Sequence, residues 1–187
     1  MLNDCWPASA GWSLIDYYNT PKAGYYAIKH YSENVALILQ ENAVYISNIN
    51  ETAPGELTVY SINLSNNEKT EILKNEIVAE NGVTKIPFTI DEKEKCVVVA
   101  RLCRKAGCVS DFYSTCGTIL SERFEALSSV TDDAVTVTAG KYVHCVELTG
   151  AEYFEDNYFS LLPGEEKTVR FKRQKEKIIA SGYGLKI

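Results

Sequence analysis

From Glu33 onward the apolar residues recur at every second position, and this period of two constrains the chain more than any other feature of its sequence. Alternating segments run over 35–40, 44–49, 56–64, 70–79, 83–90, 96–103 and 108–114. Turn chemistry separates them: Glu41-Asn42, Ala53-Pro54-Gly55, Asn66-Asn67, Asn81-Gly82, Asp91-Glu92 and Ala106-Gly107. Short strands joined by hairpin residues predict antiparallel sheets packed face to face.

A second β block follows a joint near 116–121, with strands expected near 124–130, 134–138, 141–148, 168–172, 177–180 and 185–187. Between Gly150 and Gly164 the alternation breaks into an aromatic loop carrying Tyr153, Phe154, Tyr158 and Phe159. About seven strands in about eighty residues fit an immunoglobulin-like sandwich over 33–120, and the later block a smaller one over 121–187. The fold class is therefore mainly β.

Residues 1–32 differ from the rest. They hold both tryptophans, Trp6 and Trp12, and five of the twelve tyrosines. Thr20 at a cap and Pro21 at the first helical position predict a helix over 21–31, with Tyr25, Ile28 and Tyr31 as its apolar stripe. So many aromatics before any element that holds them read as the interior of a longer chain. The helix is expected to dock on the first sandwich, and the stretch before it to pack irregularly or to mediate self-association.

The charge balance excludes some partners. Lys and Arg number 19 against 25 Asp and Glu, giving −6, and neither residues 1–120 (10 minus 14) nor 121–187 (9 minus 11) are basic. Nucleic acid needs a clustered positive face, so it is not an expected partner. No apolar run approaches the ~18 residues of a membrane span, and the chain is expected to be soluble. The six cysteines show no paired knuckle spacing, and the histidines are only His30 and His144, so no metal site is expected. Although a secreted sandwich pairs some cysteines, Cys96, Cys103 and Cys145 lie in apolar runs and read as reduced thiols of a cytoplasmic protein. No Ser-His-Asp or Cys-His set stands at a recognisable spacing.

Asn3-Asp4-Cys5-Trp6-Pro7, with Trp12-Ser13-Leu14-Ile15-Asp16-Tyr17-Tyr18 and Pro21-Lys22-Ala23-Gly24-Tyr25-Tyr26-Ala27, resembles the last strand and last helix of the (β/α)8 barrel in β-mannosidases of glycoside hydrolase family 2. The segment from Asp156-Asn157-Tyr158-Phe159 through Leu161-Leu162-Pro163-Gly164-Glu165 to Phe171 is similar to the signature of the C-terminal immunoglobulin-like domain of the same enzymes. The resemblance implies a barrel remnant over 1–32, followed by two trailing sandwiches, with the rest of the barrel as the missing partner. It also implies that both catalytic glutamates of a retaining exo-glycosidase lie upstream, so no residue here is expected to be catalytic and no cofactor is implied. Glu68 and Glu76 follow Asn, as the family's acid/base does, but lie amid sandwich strands and turns.

By the same resemblance Trp6 lines the sugar pocket of the intact parent, with Asn3 and Asp4 beside it. Tyr153 and Tyr158 are candidates for a sugar platform. Two functions follow: an accessory region that supports the barrel, or a sandwich that binds oligosaccharide. A linear, exposed aromatic platform separates them, since binding requires it and scaffolding does not.

Overall fold

The computed structural model describes residues 4, 11, 13–40, 42–49, 52–90, 96–114 and 122–184, which are mainly strand with one short helix. The chain divides into two compact units, one of His30–Ile119 and one of Met1–Lys29 with Leu120–Lys186.

In the unit His30–Ile119 the strands are β1 (Val35–Gln40), β2 (Ala43–Asn48), β3 (Ala53–Asn63), β4 (Lys69–Ala79), β5 (Gly82–Pro87), β6 (Cys96–Arg104) and β7 (Gly107–Ser114). They form two antiparallel sheets, β1-β2-β5 and β4-β3-β6-β7. Alternation places Leu37, Val44 and Ile46 of the first sheet and Leu57, Val59, Val98 and Leu102 of the second in one buried core. Each such side chain contributes about 1.5–3 kcal/mol by leaving water. The β3–β4 turn is built as its asparagines predict: Asn67 takes a φ of 59°, and the side chain of Asn66 accepts the N–H of Glu68 at 2.9 Å.

Two expectations fail in this unit. Ala53-Pro54-Gly55, read as a turn, is the start of β3 and pairs with β4, while pairing with β6 begins only at Glu56. Cys103 and Cys108, read as thiols, face each other across β6 and β7 with Cα atoms 4.1 Å apart and form a disulfide. Five residues of sequence separation concealed the pair, because a two-residue turn brings such positions into register. Cys96 is a buried thiol, and Cys5 and Cys116 lie outside the described residues.

In the other unit the helix α1 (Ala23–Tyr31) precedes β8 (Glu122–Glu125), β9 (Leu127–Val130), β10 (Ala134–Thr138), β11 (Val143–Phe154), β12 (Phe159–Leu161) and β13 (Glu166–Gly184). These six strands form one antiparallel sheet in the order β12-β11-β13-β10-β9, with β8 also on β13. Val135, Val137, Val146, Leu148, Phe159, Val169 and Ile178 share its core. β13 joins the two strands expected at 168–172 and 177–180. Its middle, Lys172–Lys177, is exposed and hides the alternation, while β11 continues the ladder through Tyr153↔Lys172 and Ala151↔Gln174. Gly150, at a φ of 102°, makes the register shift possible, since a Cβ there would stand 2.4 Å from the carbonyl oxygen of Lys177.

The helix begins two residues later than expected, because Pro21 is held in a bridge to Ile15. Its expected stripe is wrong: Ile28 and Tyr31 are exposed, and the residue it buries is Tyr26. Tyr26 anchors in the unit of Leu120–Lys186, where its hydroxyl donates to the Phe154 carbonyl at 3.1 Å, while at the end of the helix the Tyr31 hydroxyl donates to Asp111 of β7 at 3.1 Å.

Candidate functional site

Of the three residues expected to face sugar in the intact parent, Asp4 is described, whereas Asn3 and Trp6 lie outside the described residues. The Asp4 side chain is nearly buried, and its carboxylate accepts from Lys22 Nζ at 2.7 Å and from Ser13 Oγ at 2.5 Å. The Lys22 ammonium first, and the Ser13 hydroxyl second, hold its pKa below the usual carboxylate range. Asp4 is therefore a fixed anion, suited to holding a chain crossing or a donor group and unsuited to giving a proton.

The two candidate platform tyrosines are separated by their backbones. Tyr153 sits in β11 opposite Lys172 and is half-buried. Tyr158 lies in the turn before β12 with a φ of 58°, half-buried, its ring 5.8 Å from that of Tyr26. Its hydroxyl donates to Glu147 Oε1 at 3.2 Å, and burial, then the Glu147 charge, push its pKa up to about 12.

A denser polar cluster surrounds it and was not foreseen. β11 carries a register irregularity between Val143 and Val146, and Cys145 there takes a φ of 51°. His144 Nδ1 lies 3.0 Å from the Tyr142 hydroxyl and 3.2 Å from Ser160 Oγ, and the Cys145 N–H donates to that same Ser160 oxygen at 3.1 Å. Arg123 of β8 joins Glu147 and Ser181. Burial lowers the basicity of His144, which favours the neutral ring. Burial raises the Cys145 thiol, the Glu147 charge adds to this, and Arg123 only partly opposes it, so the group stays a thiol.

A serine beside a neutral imidazole invites a nucleophile reading. Among the described residues, however, no carboxylate is bonded to His144, and Ser160 is committed to a backbone amide. The cluster therefore fastens the β11 irregularity to β12 and β8. Sequence spacing missed it because His144 and Ser160 meet through the β11–β12 pairing, and that stretch reads as loop.

Glu68 belongs to the β3–β4 turn. Glu76 is exposed opposite Glu56, which is paired with Lys74 at 3.1 Å. Among the described residues there is no group of three His, Cys, Asp or Glu able to hold a metal, and no helix long and apolar enough to cross a membrane.

The quoted segment Asp156 to Glu165 resolves into structural roles. Asn157 is buried, and its carboxamide binds Leu148 twice, accepting the N–H at 2.7 Å and donating to the carbonyl at 3.0 Å. Asp156 pairs with Lys167, and Phe159, Leu161 and Leu162 are buried. Glu165 caps the turn by accepting the Leu162 N–H at 2.9 Å.

Comparison with known proteins agrees with this region. The mannosidase immunoglobulin-fold domain model matches residues 125–181. No curated protein matches the chain. Among solved structures, the chain is similar to red sea bream transglutaminase at 12% identity, over 82% of this chain and 27% of that one, with a TM-score of 0.33. The chain thus spans about a quarter of that protein's length.

Proposed function

We infer, from the mannosidase-type immunoglobulin-fold domain at residues 125–181, that the chain is the non-catalytic C-terminal accessory region of a β-mannosidase-like retaining exo-glycosidase. That match carries the reading. The conversion of the Asp156–Glu165 signature into turn, clip and core contacts supports it, because such residues preserve a domain's shape and perform no chemistry. In this reading residues 1–32 are the end of the barrel, 33–120 a second immunoglobulin-like sandwich, and the rest of the barrel is the partner. Asp4, held as an anion by Lys22, then serves the parent pocket together with Asn3 and Trp6. The stretch before the helix self-associates when that barrel is missing; the thiols of Cys96 and Cys145 suit a cytoplasmic location, and the Cys103–Cys108 disulfide counts against one.

An oligosaccharide-binding sandwich with Tyr153 and Tyr158 as its platform has less support, since both rings are half-buried and the Tyr158 hydroxyl is engaged by Glu147. Release of aryl alcohol from aryl β-mannoside, β-galactoside and β-glucosaminide tests the main reading. The chain alone is expected to give no turnover. Activity that survives purification and disappears with one Glu→Gln change would sink the proposal. A β-mannosidase barrel deprived of its C-terminal domains should gain Tm when the chain is added, and an unchanged Tm counts against a supporting role.

A further inference from the structure

β4 is the margin of the sheet β4-β3-β6-β7: it pairs with β3 alone, it runs for 11 residues without a proline, and most of them are exposed. Such an edge presents a row of unpaired N–H and C=O groups, a template for another strand. Its bulge decides how those groups lie. Val59 faces Leu73 whereas Tyr60 faces Glu71, so Ile72 is an extra residue of β4. Ile72 and Leu73 both pack on the core, and alternation resumes on either side of them. Lys69, Glu71, Lys74 and Glu76 therefore share the outer face, where Lys69 Nζ stands 3.8 Å from the centre of the Tyr60 ring and Lys74 bonds Glu56 at 3.1 Å. The same four turn their main chains to the edge. The Asn63 N–H donates to the Glu68 carbonyl at 2.9 Å, and alternation from there points the groups of Ser61 and Val59 at β4, so Thr70 and Leu73 opposite them point at β3. Lys69, Glu71 and Lys74 are their neighbours, Glu76 follows Lys74 by two, and all four point outward.

Along this edge the charges alternate, Lys69, Glu71, Lys74, Glu76, and the order is complementary to its own reverse. A two-fold axis between Ile72 and Leu73 sets Lys69 of one copy opposite Glu76 of the next and Glu71 opposite Lys74, each twice. In that register facing residues lie on one face and aim their N–H and C=O groups at each other, whereas a strand lacking the bulge would put Glu71 and Lys74 on opposite faces. Lysines and a bulge protect an edge when they repel a partner or twist it away; here both suit a second copy. Glu76 gains most, because the residue facing it on β3 is Glu56, a like charge. Neither Glu71 nor Glu76 has an ion-pair partner among the described residues. We propose that β4 pairs antiparallel with β4 of a second copy in this register, joining two four-stranded sheets across the two-fold axis. Each of the facing charged pairs exchanges two main-chain hydrogen bonds and sets opposite charges side by side. This interface is separate from the stretch before the helix, and neither it nor the accessory role inferred above decides the other.

The test is sedimentation equilibrium of the whole chain from about 1 to 200 μM, with two charge variants that leave residues 1–32 untouched. Glu71→Lys with Glu76→Lys makes the edge wholly cationic, and Lys69→Glu with Lys74→Glu makes it wholly anionic. Each variant alone should associate more weakly than the wild type by about tenfold or more, its mass falling to half, since every facing pair becomes a like pair. An equimolar mixture of the two should recover the wild-type mass, because each lysine then faces a glutamate. Hydrogen exchange at the amides of Lys69, Glu71, Lys74 and Glu76 should slow as the wild-type concentration rises. A wild-type mass that shows no association, association unchanged in the cationic variant, a mixture that stays apart, or protection that grows only at other amides overturns the proposal. If the anionic variant fails to fold, because Lys74→Glu removes the cation beside Glu56, the cationic variant and the exchange pattern decide it.

Discussion

Asn157→Ala is the sharpest probe of the C-terminal unit. Pairing between β11 and β12 runs through Val143↔Leu161 and Val146↔Phe159, so the next residue on that side of β11 is Leu148. The chain has turned away there, at Tyr158 with a φ of 58°, and the Asn157 carboxamide takes the place of a strand residue. Removing it deletes two buried bonds to Leu148 and one from the Tyr158 N–H at 2.9 Å. It also leaves a strand amide and a carbonyl of β11 unpaired, and each such group costs about 1–3 kcal/mol. The expected loss is about 2–4 kcal/mol, from the low to middle part of that range for two groups, since partial relaxation admits water. Asn157→Asp should lose nearly as much, because a carboxylate accepts from Leu148 N–H but faces the Leu148 carbonyl as a second acceptor. Urea unfolding measured by circular dichroism reads the stability, and hydrogen exchange at the Leu148 amide reads the bond itself. A loss below about 1 kcal/mol with unchanged Leu148 protection would refute the strand-surrogate argument.

Three further outcomes follow from the buried polar groups. His144 has a basicity lowered by burial, so the unfolded chain binds more protons than the folded one between the folded pKa and about 6.5. Stability should fall as the pH is lowered through that window and level off below it, and His144→Gln should flatten the profile in urea midpoints measured at successive pH values. Asp4, held low chiefly by Lys22, contributes stability that is present above its unfolded pKa and lost as pH falls through its folded one. Lys22→Met should raise the Asp4 midpoint in a carbon-detected NMR titration, and an unmoved midpoint would show the ion pair to be incidental. Tyr26→Phe removes a buried donor from the Phe154 carbonyl and should cost about 1–2 kcal/mol by thermal or urea unfolding, without changing the residues around it.

Legibility in the sequence followed burial. β1 was readable to the residue because one face of 35–40 is buried and its turn partners are asparagine-rich. β13 was read as two strands because Lys172–Lys177 is exposed on both faces, and only hydrogen bonds to β11 keep it a strand. β12 and the end of β11 were read as loop for a related reason: the ladder is carried by a side chain, Asn157, and periodicity does not register such a substitute. The helix stripe failed because a nine-residue helix with one buried residue is positioned by polar ties from Tyr26, Lys29 and Tyr31 rather than by a repeating apolar face. Among site residues, Asp4 was singled out by resemblance, and its tie to Lys22 is what the structure adds.

The position of β13 sets an order of events for the nascent chain. β8, β10 and β11 all hydrogen-bond to it, yet it follows every one of them in sequence, and its last paired residue, Gly184, closes against Glu122. Until those residues leave the ribosome, the earlier strands have no common neighbour, and their inward valines and phenylalanines wait uncovered. Shortening the chain within β13 therefore removes the sheet's axis rather than its margin, and the unit closes only once β13 has been made.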